Sequence, residues 1–150
     1  MKLESIFELW DEDSRIKRED LADESLKIST LHSKYHKIYT QERLTLRKYE
    51  HELKQLKLDK YEFYTQGPTK ETMEKGWQLP PIGKVIKSDV DKYMDADKDI
   101  VSLSLKIGLQ HEKIELLESI IKTLHNRGFQ IKSAIDWIKF TSGGWCLMYI

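Results

Sequence analysis

One stretch of the chain combines cations with aromatic rings at the spacing of a single helix face. At about 100° per residue its members share an arc of about 100°, with Lys60 at the margin and Glu50 interrupting the run. Cations that bind phosphates beside rings that stack on bases are the chemistry of single-strand binding. The pattern predicts a DNA-binding face made of Arg43, Arg47, Lys54, Lys57, Lys60, Tyr61 and Tyr64. Packing tyrosines and solubilising lysines on an ordinary helix face would give the same pattern.

The common catalytic and metal-binding signatures fail when they are checked position by position. Asp95-Ala96-Asp97-Lys98-Asp99 begins like a calcium loop, but Ile100 and Lys106 stand where that loop needs Gly and Glu. There is no Gly-x-x-x-x-Gly-Lys phosphate loop, and Cys146 has no basic neighbour to activate it as a nucleophile. The sequence therefore predicts a protein that is not an enzyme and needs no cofactor.

His32 and His36 are spaced as two metal ligands on one helix face would be. Ser33 stands where a zinc protease motif has its glutamate, and no third ligand is evident. Solvated histidines are the simpler interpretation, so no metal site is predicted. A metal-dependent enzyme is the weakest of the hypotheses.

The composition is that of a soluble globular protein. The 150 residues are 39% hydrophobic and 33% charged, with 25 basic and 25 acidic side chains and one cysteine. No apolar run approaches the roughly 20 residues of a transmembrane helix, and the first residues lack the pattern of a signal peptide. A single domain in a reducing cytoplasm is the expectation.

The zero net charge conceals a reversal of sign near the start of the chain. Residues 1–26 hold 4 basic and 9 acidic side chains, whereas residues 27–60 hold 9 basic and 4 acidic ones. Residues 61–150 balance at 12 and 12. Such asymmetry is typical of an anion-binding stretch beside an acidic segment that competes with the ligand or pairs with another subunit.

Apolar residues spaced three and four apart predict two long helices. The first helix has the seam Leu31, Tyr35, Ile38, Leu46, Tyr49, Leu53, Leu56 and Phe63, with one slip near Glu42. Gly67-Pro68 ends it, and the following Gly/Pro-rich loop carries Trp77, several lysines and a segment, Lys84–Lys87, that could form a short strand. The second helix begins after Ser88 and ends in a glycine stop at Gly128, with a short helix beyond it.

Helices of this length predict self-association, because their seams extend beyond a compact domain and need partners. The oligomerisation seam predicted on the second helix is Leu103, Ile107, Gln110, Ile114, Leu117, Ile121 and Leu124. Its wide apolar face favours a bundle or a ring over an isolated dimer.

The predicted fold is mainly α, with two long helices, short terminal helices and an irregular loop assembling into a ring-like homo-oligomer. Its predicted segments within one domain, 1–150, are an acidic segment 1–26, a basic helix 27–66, a loop 67–88, an oligomerisation helix 89–126, a C-terminal helix 129–142 and a tail 143–150.

Two distant motifs carry a family resemblance. Asp95-Ala96-Asp97-Lys98-Asp99-Ile100 opens the second helix, and Arg127-Gly128-Phe129-Gln130-Ile131-Lys132 closes it. Together with Tyr64-Thr65-Gln66-Gly67 after a basic helix, this order resembles the UvsY family, the recombination mediators of T4-like bacteriophages. The resemblance covers roughly residues 25–143. The uncharged tail Trp145–Ile150 lies outside the pattern.

The resemblance implies non-specific binding of single-stranded DNA and a ring of six or seven subunits. It also implies loading of a phage RecA-type recombinase onto DNA covered by the single-strand-binding protein, in the cytoplasm of the infected bacterial host. One DNA-contacting residue of the family matches Lys60, whereas the other falls on Leu58, with Lys57 adjacent. The alternative left open is a structural coiled-coil adaptor that does not bind nucleic acid.

Overall fold

The computed structural model describes residues 1–143, so Cys146 and the tail Trp145–Ile150 lie outside the described residues. The described chain is mainly helical, as predicted, and contains no strand. Its elements are α1 (Leu3–Asp13), a 3-10 turn (Arg18–Asp20), α2 (Leu21–Gln66), α3 (Lys70–Glu74), α4 (Val90–Asp95) and α5 (Lys98–Thr141). None of the helices in residues 1–143 is long and apolar enough to cross a membrane.

The described residues form two compact units. The first unit comprises residues 1–43 and 112–143, and the second comprises residues 44–111. Both long helices contribute to both units, α2 passing from the first to the second and α5 returning.

The first unit packs α1 against the first part of α2 and the last part of α5. Its core consists of Ile6, Tyr35, Leu117, Ile120 and Leu124. The Tyr35 hydroxyl donates a 2.8 Å hydrogen bond to Asp13 at the end of α1. Aliphatic burial around one anchored aromatic ring holds the acidic N-terminal segment on the long helices.

Two charged residues of the first unit, Glu42 and Arg127, are buried, and each has partners of its own. Glu42, at the slip in the seam of α2, forms ion pairs with the N-terminal ammonium at 3.1 Å and with Lys113 at 3.7 Å. Arg127 donates hydrogen bonds to the carbonyl oxygens of Asp13, Ser14 and Arg15. These carbonyls have no acceptor role within α1, so the guanidinium satisfies the end of that helix.

The second unit holds the rest of α2, the Gly/Pro-rich loop, α3, α4 and the start of α5. Phe63 and Tyr64 of α2 pack with Val85 of the loop and Val90 of α4. Trp77 meets Phe63 edge-on, with ring centroids 5.5 Å apart. This aromatic cluster fastens the loop to the end of α2.

The predicted end of α2 is confirmed. The helix ends at Gln66, and Gly67 has φ +95° while its N–H donates to the carbonyl of Phe63. A Cβ at Gly67 would meet only the flexible end of the Lys84 side chain, so it is the positive φ that requires glycine here.

Two predicted features of the loop and the second helix are wrong. Lys84–Lys87 forms no strand, and the backbone N–H of Val85 instead makes a 2.8 Å bond to the carbonyl of Tyr64. α5 begins at Lys98, after the separate helix α4, because the side chain of Asp97 accepts from the N–H groups of Asp99 and Ile100 as an N-cap.

The stop predicted at Gly128 is also wrong, since α5 runs through it to Thr141. Gly128 is not among the glycines with positive φ, and the space around its Cα is open. The neighbouring Arg127 and Ile131 are buried, and a packed helix face outweighs the ~1 kcal/mol that a mid-helix glycine costs.

Candidate nucleic-acid interface

All the residues of the predicted DNA-binding face lie on α2, but the structure separates them into exposed and buried sets. Arg47, Lys54 and Lys57 are exposed in the second unit. Arg43 is exposed at the end of the first unit, with its guanidinium 5.5 Å from the ring centroid of Tyr39. Tyr61 is half-buried against the aromatic cluster.

A groove in the second unit brings two of these cations together over an apolar floor. Its lining residues are Glu50, Leu53, Lys54, Lys57 and Ile107, and its volume is about 480 Å³. Leu53 and Ile107 are half-buried where α2 and α5 meet, whereas both lysines are exposed. We call this feature the basic groove.

The chemistry of the basic groove suits a strand with its bases turned inward. Exposed ammonium groups on one wall can bind phosphates, while Leu53 and Ile107 offer apolar surface to the faces of bases. Glu50 is the one carboxylate among the lining residues. The ammonium of Lys106 on α5 lies 4.3 Å from the ring centroid of Tyr49, which adds a further cation to the same unit.

Lys60 and Tyr64 do not belong to the exposed face, which corrects the prediction that placed them there. Lys60 Nζ lies 3.0 Å from Asp97 Oδ2 and 2.8 Å from Asp99 Oδ2. The Tyr64 hydroxyl donates a 2.6 Å hydrogen bond to Asp97 Oδ2. Both side chains are buried because the N-terminus of α5 and the loop cover this end of α2.

The electrostatics of Asp97 and Tyr64 reflect this contact. Burial alone would raise the pKa of Asp97, but hydrogen bonds from Tyr64, the Ile100 N–H and Lys60 together hold that pKa below its ordinary value. The pKa of Tyr64 is raised by burial and by its hydrogen bond to the Asp97 carboxylate. The carboxylate therefore stays ionised and the phenol neutral at neutral pH.

The predicted oligomerisation seam is partly covered within the chain itself. Gln110, Ile114, Leu117 and Leu124 are buried, and Leu117 and Leu124 belong to the core of the first unit. The remaining members, Leu103, Ile107 and Ile121, are half-buried. The buried members of the seam pack within the chain, whereas its half-buried members keep part of their surface exposed.

Other apolar side chains of α5 are exposed in its place. In the second unit, Val101, Leu105 and Leu109 are 40%, 71% and 49% exposed. Their spacing of four residues puts them on one face of the helix. The sequence predicts a wide apolar face on this helix, but it does not reveal which part of that face the chain covers itself.

The two histidines of the first unit that have the spacing of metal ligands stack on each other. The ring centroids of His32 and His36 are 5.8 Å apart. Nowhere in residues 1–143 do three or more His, Cys, Asp or Glu side chains form a group that could hold a metal ion.

The chain matches a family model over residues 9–144, and that model is described as "Recombination, repair and ssDNA binding protein UvsY". No curated protein sequence gives a significant match.

Solved structures show the same fold. Two crystal structures of the bacteriophage T4 recombination mediator protein UvsY, of lattice types IV and II, superpose on this chain with a TM-score of 0.76 each. They are 18% and 22% identical to it, and the alignments cover 94% and 95% of this chain and 99% of each T4 chain. At such identities the comparison establishes the fold over nearly the whole length.

Proposed function

The chain belongs to the UvsY family of recombination, repair and single-stranded-DNA-binding proteins, and we propose that it is a recombination mediator that binds single-stranded DNA in the basic groove. The observation that carries the assignment of the site is the pair of exposed lysines, Lys54 and Lys57, above the apolar floor of Leu53 and Ile107. Arg47, two turns before Lys54 on the same helix, extends the cationic wall.

The contacts in the basic groove are non-specific by their chemistry. Ammonium groups bind phosphates of any sequence, and an aliphatic floor accepts any base face. A few such contacts per subunit give weak binding. Repeated in several subunits along one strand, they give tight binding through effective concentration.

The mediator step uses this binding surface to change the state of the strand. A strand held across several subunits is bent or extended, which weakens its contacts with the covering single-strand-binding protein and presents it to a RecA-type recombinase. The free energy comes from differential binding of strand conformations, so no nucleotide cofactor is needed. The step takes place in the cytoplasm of the infected bacterial host.

Self-association uses the exposed face of α5 in the second unit, and its occupant is a second copy of this chain. Val101, Leu105 and Leu109 supply an apolar stripe, and Gly108 beside them has nothing within 4 Å of where a Cβ would lie. An uncovered stripe on a rigid helix with a small residue beside it favours close helix–helix packing. A ring of such contacts would repeat the basic groove.

The test is a loading assay on a strand covered with single-strand-binding protein, with recombinase filament formation as the readout. We expect the wild-type chain to accelerate filament formation and the triple variant Arg47→Gln/Lys54→Gln/Lys57→Gln to fail. A control triple variant, Lys37→Gln/Lys122→Gln/Lys139→Gln, removes the same charge from exposed positions of the first unit. The control should retain activity.

Equal activity of the two triple variants would contradict the assignment of the groove. A wild-type chain that neither binds the strand nor accelerates loading would instead support the structural adaptor.

A further inference from the structure

The ammonium of Lys60 is enclosed by three groups of the second unit. Asp97 and Asp99 lie at 3.0 Å and 2.8 Å, and the centroid of the Trp77 ring lies 3.9 Å from Nζ. The side chain is only 5% exposed. Two ion pairs and one cation–π contact thus occupy the Lys60 ammonium, the group that the family resemblance assigns to DNA binding.

The partners of Lys60 belong to two other parts of the second unit, the start of α5 and the loop. Asp97 is the N-cap of α5 and also accepts from Tyr64, whereas Asp99 lies in the first turn of that helix. Trp77 follows α3 in the loop and packs against Phe63. One ammonium therefore joins the end of α2, the start of α5 and the loop.

A phosphate could reach Lys60 only by displacing its carboxylates. Two carboxylates contact the one ammonium of Lys60, and with Lys75 Nζ 5.0 Å from the centroid of the Trp77 ring the cluster carries no net positive charge to attract an anion. Breaking the cluster would also leave Asp97 buried without its cation. Lys57, three residues earlier on α2, is exposed and lines the basic groove.

We infer that Lys60 is a positioning residue: it clamps α5 and the Trp77 loop onto α2, which fixes the two walls of the basic groove, and it makes no phosphate contact itself. This inference rests on the proposed function. The phosphate contact that the resemblance places at Lys60 belongs to Lys57.

The dependence of strand affinity on salt separates a clamp from a ligand. Each lost phosphate contact lowers the slope of log K against log salt by ~0.7 for single strands. We expect Lys57→Met to lower the slope for a labelled oligothymidylate, and Lys60→Met to weaken binding with the wild-type slope. A slope for Lys60→Met that falls as far as that for Lys57→Met would overturn the inference.

Unfolding by urea tests the clamp without DNA. Lys60→Met should lower the unfolding midpoint, and Lys57→Met should leave it at the wild-type value. Equal midpoints for the two variants would refute the clamp, whereas absence of salt-dependent binding by the wild-type chain would refute the proposed function alone.

A milder variant covers the case in which Lys60→Met does not fold. Asp99 is half-exposed and can be changed to Asn while Asp97 keeps its contact with Lys60. If Lys60 were a phosphate ligand restrained by its carboxylates, Asp99→Asn would release it and steepen the salt slope. We expect the slope to stay at the wild-type value.

Discussion

At the scale of single residues, the buried charged groups determine most of the local geometry. Arg127 in the first unit and Lys60 in the second each join elements far apart in the chain, with sequence separations of 114 and 39 residues in their hydrogen bonds. Removing one partner of such a contact leaves the other desolvated and unpaired, so the cost exceeds that of a surface ion pair.

Replacing Arg127 by Met should detach the end of α1. Three carbonyl oxygens at residues 13–15 would lose their donor, and we expect the free energy of unfolding to fall by about 3 kcal/mol. Urea unfolding followed by circular dichroism measures this. Lys132→Met, at an exposed position of the same helix, is the control and should change stability little. A similar stability for both variants would mean that α1 does not depend on the guanidinium.

Asp97 gives the second unit a stability that depends on pH. Its pKa is lower in the folded chain than in the unfolded chain, so the ionised carboxylate stabilises the fold above the ordinary aspartate value of about 4. That contribution is lost as the pH falls through the lowered pKa of the folded state. The difference in unfolding free energy between wild type and Asp97→Asn should therefore be smaller at pH 3 than at pH 7. An unchanged difference would show that the carboxylate is not preferentially ionised in the fold.

At the scale of the elements, one glycine ends a long helix and another lies inside one. Gly67 ends α2 with a positive φ and a close contact to Lys84, whereas Gly128 lies inside α5 in open space. The sequence predicts a helix stop at both. Pro68 directly follows Gly67 and reinforces the stop there, whereas no proline follows Gly128, which lies beside the buried Arg127 and Ile131.

Alanine at these two positions should change stability in opposite directions. Gly128→Ala should stabilise the chain by about 0.5–1 kcal/mol, because alanine loses less backbone freedom in a helix. Gly67→Ala should destabilise it by about 1 kcal/mol or more, because the left-handed backbone at this position is unfavourable for alanine. Thermal or urea unfolding gives both values. A destabilised Gly128→Ala variant would indicate that α5 ends there after all.

The sequence predicted the elements better than their contacts, for a physical reason. The apolar seam of α2 and its end at Gly67 follow from local periodicity and backbone preference, and both are confirmed. The break at Asp97 has a local cause, an aspartate that caps the following helix, whereas the burial of Lys60 depends on a contact between residue 60 and residues 97–99, which no local pattern encodes. Glu42 was detectable only as a charged residue at a slip in the seam.

At the scale of the whole molecule, the formal charges sum to zero, and the proposed binding surface depends on a local excess of basic side chains. The excess of basic residues in 27–60 is partly neutralised within the chain, since Lys27, Lys34, Lys48 and Lys60 form ion pairs. Arg47, Lys54 and Lys57 stay exposed. The proposed function relies on repetition of the basic groove in an oligomer, because repeated contacts along one strand raise the affinity.

The proposed self-contact can be broken at the exposed stripe of α5. The double variant Leu105→Ser/Leu109→Ser removes apolar area that is worth ~25 cal/mol per Å² when buried between subunits. We expect light scattering to give the mass of a multimer for the wild type and of a single chain for the variant. Met73→Ser, at another exposed apolar position, is the control. A double variant that keeps the wild-type mass would place the self-contact elsewhere.

The most direct test of the central claim is the affinity of the full chain for a fluorescently labelled single strand, measured by anisotropy across a salt titration. Binding through the basic groove predicts affinity that falls steeply with salt, and a slope that Lys54→Gln/Lys57→Gln lowers by about 1.4 for each subunit in contact with the strand. The variant should retain the mass and stability of the wild type, because both lysines are exposed. A variant with the affinity and slope of the wild type would contradict the account.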